Sequence, residues 1–278
     1  MTIRTSDATS FVSSSARASF IGAVLIGLLG LCQQSLAAPI NYGNFSGSTI
    51  TYTQVTEDAN SAGDNPPLFG APSVAGDALS FSPVGFKAAS AAGVADITDG
   101  QLSFGINAKP ENVIASIQLG EGGDTTLAGF GTNATFTSVT AHVFLNITEV
   151  DFVPLASPLL GLPFDLTFTP SGGTFGLASD GGGGPIFTSA WTGSLNLNIA
   201  NILTANGIPF SGGATKVSIN LDNTLVALSE ANTQSLIAKK QFGGLTVTVN
   251  IPGGGVPEPT SAVLMLLGLA GFITRRGR

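Results

Sequence analysis

The sequence predicts an all-β protein, an antiparallel β-sandwich for which a jelly roll is one candidate topology. Short runs of alternating polar and apolar residues fill the central part of the chain. Turn-forming residues separate these runs, since Gly accounts for 37 and Pro for 15 of the 278 residues. Stretches with a helical period are scarce, so the crossover helices that a parallel α/β fold needs are missing. These observations favour packed layers of antiparallel strands.

The predicted strands follow one another from residue 49 onward. In chain order they cover residues 49–55, 78–82, 101–107, 113–119, 134–152, 164–170, 191–199, 216–221, 224–230 and 245–251. The stretch 134–152 is the longest of these runs, and we expect it to form one long or bent strand.

A two-residue turn at Asp222-Asn223 is predicted to join the strands 216–221 and 224–230 into a hairpin, because both residue types tolerate left-handed geometry. The apolar residues that define the two alternations are Val217, Ile219 and Leu221 before the turn, and Leu225 and Ala227 after it. The next segment, residues 231–240, is predicted to form one short helix.

The N-terminal segment, residues 1–37, has the layout of a secretory signal peptide. Arg4 and Arg17 precede the apolar run 20–31, which is shorter than the roughly 20 residues that a membrane helix needs. Small residues favour cleavage between Ala37 and Ala38, which implies export through the Sec translocon and removal of the leader by signal peptidase.

The single cysteine, Cys32, lies within this leader and has an alternative interpretation as a lipid attachment site. Leu31 directly before it disfavours that alternative, since lipoprotein processing requires a small residue there. If cleavage follows Ala37, the mature chain carries no cysteine, which excludes disulfides, thiol catalysis and cysteine metal sites.

The C-terminal segment, residues 253–278, has the layout of a sorting signal. A glycine-rich linker leads to Val256-Pro257-Glu258-Pro259 and then to an apolar stretch at 262–273. A helix over that stretch reaches only about 18 Å, short of a hydrocarbon core of about 30 Å. The basic residues at the end are Arg275, Arg276 and Arg278. Arginines after the apolar stretch favour the cytoplasmic side and leave the main domain outside.

This tail resembles the PEP-CTERM sorting signal of exported bacterial proteins, which the membrane transpeptidase exosortase recognises. The resemblance covers Val256 to the C-terminus and the export layout, and it leaves out the central domain, residues 38–252. It implies export across the inner membrane of a Gram-negative type cell, with a transient membrane-anchored precursor. It further implies processing near Pro257 to Pro259, followed by release or attachment at the surface. Proteins with this signal are often associated with exopolysaccharide and biofilm matrix.

Charge narrows the class of partner. The chain has 10 Lys and Arg against 17 Asp and Glu, and a formal net charge of −7. All the arginines lie in the two end segments, so the central domain is more acidic than the whole chain and repels phosphate backbones. Nucleic acid is therefore excluded as a partner, and cations or neutral polysaccharide fit better.

These features together predict a non-enzymatic protein of the cell surface or extracellular matrix, structural or adhesive in an exopolysaccharide or biofilm matrix. The alternative is a carbohydrate-binding β-sandwich, and a third hypothesis is a glycoside hydrolase. Trp191, Tyr42 and Tyr52 are the candidates for stacking on sugar rings, provided that they share an exposed face. The competing interpretation of Trp191 is a half-buried packing residue.

Hydrolysis would need two carboxylates roughly 5 to 10 Å apart. Glu149 and Asp151 are the candidates, because alternation along a strand places them on one face about 6.8 Å apart. Acids at a strand end are more often simply solvated. His142, the single histidine, is predicted to be structural or exposed, on the same face as Thr140 and Phe144, and no nucleophile motif accompanies it.

A polar loop at residues 57–67 offers oxygen ligands of the type that calcium prefers. Asp58, Asn60 and Asp64 are the calcium candidates, although their spacing lacks the EF-hand pattern and a polar loop needs no metal to explain it. Residues 180–185, DGGGGP, are predicted to form a flexible loop. No GK[ST] motif follows that loop, which excludes a nucleotide-binding function for it.

Overall fold

The computed structural model describes residues 38–59, 63–83 and 85–250, and it confirms the all-β prediction. These residues form antiparallel strands and one short α-helix, with a 3₁₀ turn at Ser171–Gly173. The strands are β1 Ile40–Ser46, β2 Ile50–Ala59, β3 Ser73–Ala75, β4 Ala78–Phe81, β5 Lys87–Ala91, β6 Ala95–Ala108, β7 Val113–Ala128, β8 Phe136–Val150, β9 Val153–Asp165, β10 Thr167–Thr169, β11 Thr174–Gly176, β12 Ile186–Asn198, β13 Ala214–Leu228 and β14 Gln234–Asn250, and the helix is α1 Ile199–Ala205.

The paired strands divide into two layers that pack as a sandwich. We name as the first layer the order β1-β2-β6-β13-β8, in which β8 also pairs with β9 and β11. The second layer is β10-β12-β7-β14, in which β14 also pairs with β4 and β5, and β3 follows β4. The two layers join where Ala214 of β13 pairs with Ile114 of β7.

The core lies between the layers because side chains of the central strands β6 and β13 alternate between buried and more exposed positions. In β13 every second side chain is buried, and the residues between them face outward. A cluster of phenylalanines fills one part of the core edge to face, with ring centroids 5.0 to 6.2 Å apart. Its members are Phe69, Phe81, Phe86 and Phe242. Burying each such side chain stabilises the fold by about 1.5–3 kcal/mol.

The predicted hairpin at Asp222-Asn223 is wrong. Strand β13 runs without a break through these residues and pairs on both sides, with β6 and with β8. The physical reason is that the alternation keeps its phase across the expected turn. Leu221 and Leu225 both face the core, so Asn223 between them faces the core as well.

The predicted helix at residues 231–240 is also wrong, since β14 begins at Gln234. Ser235, Ile237 and Lys239 are buried while the residues between them are more exposed, which is a period of two. The α-helix lies instead at α1, where the side chain of Asn198 caps the first turn by accepting from the backbone nitrogen of Asn201 at 2.9 Å.

Strand β7 extends past its predicted end at residue 119 and through glycines to Ala128. Gly123 has a packing role there, because a Cβ at this position would lie 2.6 Å from Cζ2 of Trp191 and 2.0 Å from the backbone oxygen of Ala238. The absent side chain leaves space for the indole ring between the layers. Residues 180–185 lie outside the strands, in a turn at 180–183 followed by irregular backbone, which agrees with the loop part of the prediction.

The predicted signal peptide, its cleavage site at Ala37, the glycine linker and the sorting signal lie outside the described residues, which begin at Ala38. In the part of the chain that the structure describes, no helix combines the length and the apolar character that a bilayer crossing requires.

Candidate functional site

The outward side of the first layer carries polar residues in register across neighbouring strands. We call this surface the polar face. One of its rows runs across five strands, from β2 through β6, β13 and β8 to β9. Its members are directly opposite one another and are Thr56, Ser103, Asn220, Phe144 and Pro163. With strands about 4.8 Å apart, the row spans about 19 Å.

The adjacent row lies two residues further along each strand and carries most of the charge. Its members, again directly opposite one another, are Asp58, Gln101, Asp222, His142 and Asp165. His142 Nδ1 lies 2.6 Å from Oδ1 of Asp165, and both side chains are more than half exposed. His142 shares its face with Thr140 and Phe144, as the sequence predicted.

A recess of about 460 Å³ opens on the polar face and includes three members of the first row. Residues of β1, β2, β6, β8 and β13 line it, and among them are Asn41, Gln54, Thr56, Ser103, Asn146 and Asn220. The Nδ2 of Asn146 donates to the hydroxyl of Ser218 at 2.9 Å, which fixes the orientation of this amide at the floor of the recess. Amides and hydroxyls supply both donors and acceptors to whatever occupies it.

Phe144 is the aromatic residue that the polar face presents to solvent. Its side chain belongs to β8, lies between the positions of Asn220 and Pro163, and is 38% exposed. An exposed ring among hydroxyl and amide groups offers an apolar platform beside hydrogen-bonding partners. Alternation along β8 puts Phe144 on the face of His142, and this local signal is present in the sequence, although Phe144 is not among the candidates predicted for sugar stacking.

Two carboxyl groups touch on the charged side of the polar face. The side chains of Asp99 and Asp222 are hydrogen-bonded, and burial followed by the charge of Asp222 raises the pKa of Asp99 to about 6. The hydroxyl of Thr224 donates to Asp99 at 3.3 Å. Near neutral pH this part of the face is therefore negative, and it repels anionic ligands.

The residues that the sequence suggested for sugar stacking do not form a shared exposed platform. Trp191 is 1% exposed and packs edge to face against Phe168 at 6.0 Å, so the prediction that it stacks on sugar is wrong and the packing interpretation is correct. Tyr52 is fully buried, and its hydroxyl donates to the backbone oxygen of Asp77. Tyr42 is half-buried, and its hydroxyl donates to Glu57 at 2.7 Å.

Alternation does not relate Glu149 to Asp151, because β8 ends at Val150 and Asp151 lies in the turn that follows. Asp151 instead accepts four hydrogen bonds from residues 211–213, at 2.7 to 3.0 Å. Although burial raises the pKa of Asp151, these bonds outweigh it and lower the pKa. Glu149 accepts from the hydroxyl of Thr215 at 2.9 Å.

The acidic loop after β2 is organised by its own hydrogen bonds. The buried carboxylate of Glu57 accepts from the backbone nitrogens of residues 68, 69 and 70. Asp58 accepts from the backbone nitrogen of Ala59, and Asp64 accepts from that of Asp99. The third calcium candidate, Asn60, lies outside the described residues. Within the described ranges, no three His, Cys, Asp or Glu side chains are grouped so that they would hold a metal ion.

Comparison with known proteins identifies no family for this chain. No protein-family model and no curated protein matches it. Among solved structures, a loop-swap mutant of Xyn11A from Necallimastix patriciarum has a TM-score of 0.21 at 9% identity, covering 76% of this chain and 100% of the other. Endoglucanase 3 from Trichoderma harzianum, of family GH12, has a TM-score of 0.19 at 11% identity, covering 77% and 97%. The VP2 subviral particle of infectious bursal disease virus has a TM-score of 0.12 at 12% identity, covering 79% and 58%. Scores this low carry no argument about function.

Proposed function

We propose that this protein is an exported component of the cell surface or extracellular matrix that binds neutral exopolysaccharide through its polar face. The observation that carries the proposal is the arrangement of amide and hydroxyl side chains in register around the exposed ring of Phe144. This proposal combines the structural role in a matrix with the carbohydrate-binding alternative. It assigns the stacking on sugar to Phe144 and not to Trp191.

The chemistry of the polar face matches a hydroxyl-rich ligand. Each sugar hydroxyl both donates and accepts, and the side chains of Gln101 and Ser103 carry both functions at neighbouring positions of β6. The ring of Phe144 supplies the apolar surface against which the carbon-bound hydrogens of a sugar pack. The carboxylates of the row that contains Asp222 and Asp165 repel an anionic polymer, so the polar face is better suited to a neutral one.

The shape of the face suits a polymer chain. A row of about 19 Å crosses five strands on the outward side of the sheet. The recess of about 460 Å³ at one side gives a single sugar unit a place to be held more deeply.

Binding without hydrolysis agrees with how the carboxylates are used. Glu149 and Asp151 hold neighbouring segments of the chain. Asp99 and Asp222 are in direct hydrogen-bond contact, which is closer than the roughly 5 to 10 Å that separates the two acids of a glycosidase. The hydrolase hypothesis therefore has less support than binding.

Retention in the matrix tests this function in cells. Phe144→Ala is expected to move the protein from the washed matrix into the soluble wash, because the stacking platform is lost. Phe130→Ala is the matched control, since Phe130 is 78% exposed but lies in the segment between β7 and β8. Equal retention of the two variants and the wild type would contradict the proposed role of the polar face.

The C-terminal resemblance supports sorting by an exosortase as the route to this location. In the proposed pathway the apolar stretch holds the precursor transiently at the inner membrane, and processing near Pro257 to Pro259 removes it. Intact mass spectrometry of the extracellular protein tests the pathway. A mature species that ends near Pro259 supports it, and a mature species that keeps Arg275, Arg276 and Arg278 contradicts it.

A further inference from the structure

Three polar side chains from three strands meet in the interior between the two layers. Glu121 of β7 is 3% exposed, Asn223 of β13 is fully buried and Lys239 of β14 is 2% exposed. Charged side chains of this kind are rarely buried unless they are paired, because removing them from water costs several kcal/mol for each ion. Nothing in the proposed binding of polysaccharide uses them.

One carboxylate brings the other two side chains together. Oε2 of Glu121 lies 2.6 Å from Nζ of Lys239 and accepts from Nδ2 of Asn223 at 2.7 Å, while Oε1 accepts from the same Nδ2 at 2.9 Å. Nζ of Lys239 and Nδ2 of Asn223 both contact Oε2 of Glu121. The separation of these two nitrogens therefore cannot exceed the sum of their distances to that oxygen. Oδ1 of Asn223 is buried and has no hydrogen-bond partner.

Aromatic rings surround the lysine amine and exclude water. Nζ of Lys239 lies 5.0, 4.7 and 5.5 Å from the ring centroids of Phe69, Phe86 and Phe242. Burial lowers the pKa of Lys239, and the charge and hydrogen bond of Glu121 oppose that effect. A proton passing from Nζ to the adjacent carboxylate leaves a neutral amine, which is the nucleophilic form.

We propose that Lys239 and Asn223 join through an intramolecular isopeptide bond, with Glu121 as the general acid and base. Neutral Nζ attacks Cγ of Asn223, and the new C–N bond forms while negative charge develops on Oδ1. Protonated Glu121 stabilises that charge and delivers its proton to the leaving nitrogen, and the resulting carboxylate takes the surplus proton from Nζ of the new amide. The bond from Cγ to Nδ2 then breaks.

The atoms balance without an oxidant, a reductant or a cofactor. A lysine ammonium, the carboxylate of Glu121 and a carboxamide become one secondary amide, one neutral ammonia and a protonated Glu121. The low-dielectric surroundings favour the reaction because it replaces the buried ion pair of Lys239 and Glu121 by neutral groups. Departure of ammonia from the interior makes the step effectively irreversible.

The bond links the two layers covalently. Asn223 belongs to the first layer and Lys239 to the second, and β13 and β14 are not hydrogen-bonded to each other in the described sheets. A cross-link of this kind stabilises a fold by restricting the unfolded chain, as a disulfide does. The mature form is predicted to have no cysteine and therefore no disulfide. The isopeptide bond gives it a covalent cross-link of another kind.

Mass spectrometry of the purified protein tests the bond. The wild type is expected to weigh less than its sequence between the measured termini by the mass of one ammonia. Proteolysis is expected to release a cross-linked peptide that contains both Asn223 and Lys239. Wild-type protein at its full sequence mass, with the two residues in separate peptides, would overturn the proposal.

Variants assign the roles of the residues. Lys239→Arg keeps the charge but cannot form the amide, so it is expected to show the full mass, whereas Lys240→Arg at the exposed neighbouring position keeps the loss. Glu121→Gln is expected to stay unreacted. Asn223→Asp is expected to lose one water in place of one ammonia, and loss of ammonia in that variant would contradict the assignment of Asn223.

Refolding separates a reaction in the folded protein from failure to fold. A wild-type chain isolated from inclusion bodies in denaturant is expected to carry the full mass and to lose one ammonia only after refolding. The same loss in a chain kept unfolded throughout would contradict a mechanism that depends on the buried geometry. Far-UV circular dichroism of each variant reports whether it has folded, and the wild-type cross-linked peptide tests the bond without any variant.

Discussion

The carboxyl group of Asp99 lies in hydrogen-bond contact with that of Asp222 on the outer face of the first layer. Both residues belong to central strands, β6 and β13, so the fold forces two acids together at a place where a ligand would lie. Burial and the negative charge of Asp222 raise the pKa of Asp99 to about 6, and the pair therefore holds a proton under mildly acidic conditions.

This pair predicts how stability depends on pH. A carboxyl whose pKa is higher in the folded state than its ordinary value of 3.8 binds a proton more readily when folded, so stability falls as pH rises from about 4 through about 6. Asp99→Asn is expected to stabilise the protein by about 1 kcal/mol at pH 8, allowing for solvent screening, and to have little effect at pH 4. Urea unfolding at the two pH values measures the difference, and an equal effect at both would contradict the shared proton.

Asp151 predicts the opposite dependence. Its pKa is lower in the folded state, so its contribution to stability is fully present above the unfolded pKa and is lost as pH falls through the folded pKa. Asp151→Ala is expected to cost about 1 kcal/mol at pH 7 and less at pH 3, because residues 211–213 lose their acceptor. Asp165→Ala, at a residue whose side chain is 75% exposed, is the control and is expected to change stability little. A larger loss from Asp165→Ala than from Asp151→Ala would contradict this role.

Glu57 is predicted to be the main structural acid of the loop after β2. Glu57→Gln replaces an acceptor of backbone nitrogens from residues 68, 69 and 70 by a group that places a donor among them. The free energy of unfolding is expected to fall by about 2–4 kcal/mol. The side chain of the neighbouring Asp58 faces outward. Asp58→Asn is therefore expected to have a free energy of unfolding within about 0.5 kcal/mol of the wild type. Chemical denaturation of both variants checks the contrast, which equal stabilities would contradict.

Trp191→Phe tests the assignment of the tryptophan to the core. The smaller ring leaves a cavity over Gly123, and the free energy of unfolding is expected to fall by about 1–3 kcal/mol. Affinity for polysaccharide is expected to be unchanged below the melting transition, because the indole does not reach the surface. A loss of affinity without a loss of stability would show that Trp191 contacts the ligand.

The sequence predicted the fold class because alternation and turn residues are local signals. The error at Asp222-Asn223 shows where such signals compete. The prediction followed the turn propensity of this pair, although the apolar positions on either side keep one phase. The phase of the alternation predicts the structure correctly here, because β13 is paired along both edges. The same phase also places Asn223 in the interior, where it meets Glu121.

The candidate site was less predictable, because it depends on which strands become neighbours. Alternation along β8 puts Phe144 and His142 on one face, but only the pairing of β8 with β13 brings Asn220 and Asp222 beside them. Lys239 shows a second limit of prediction from the sequence, which is the burial of a charged residue. A lysine in a polar run is normally solvated, and its burial here depends on pairing with Glu121, which lies 118 residues away in the chain.

The central claim is that the polar face binds neutral polysaccharide. Isothermal titration of the secreted protein with purified neutral exopolysaccharide tests it most directly, with Phe144→Ala and Phe130→Ala measured in parallel. We expect saturable binding whose dissociation constant rises about tenfold in Phe144→Ala, as the loss of about 1.4 kcal/mol of stacking would give, and stays unchanged in Phe130→Ala. Wild-type affinity in the folded Phe144→Ala variant, or no saturable binding by the wild type, would contradict the claim.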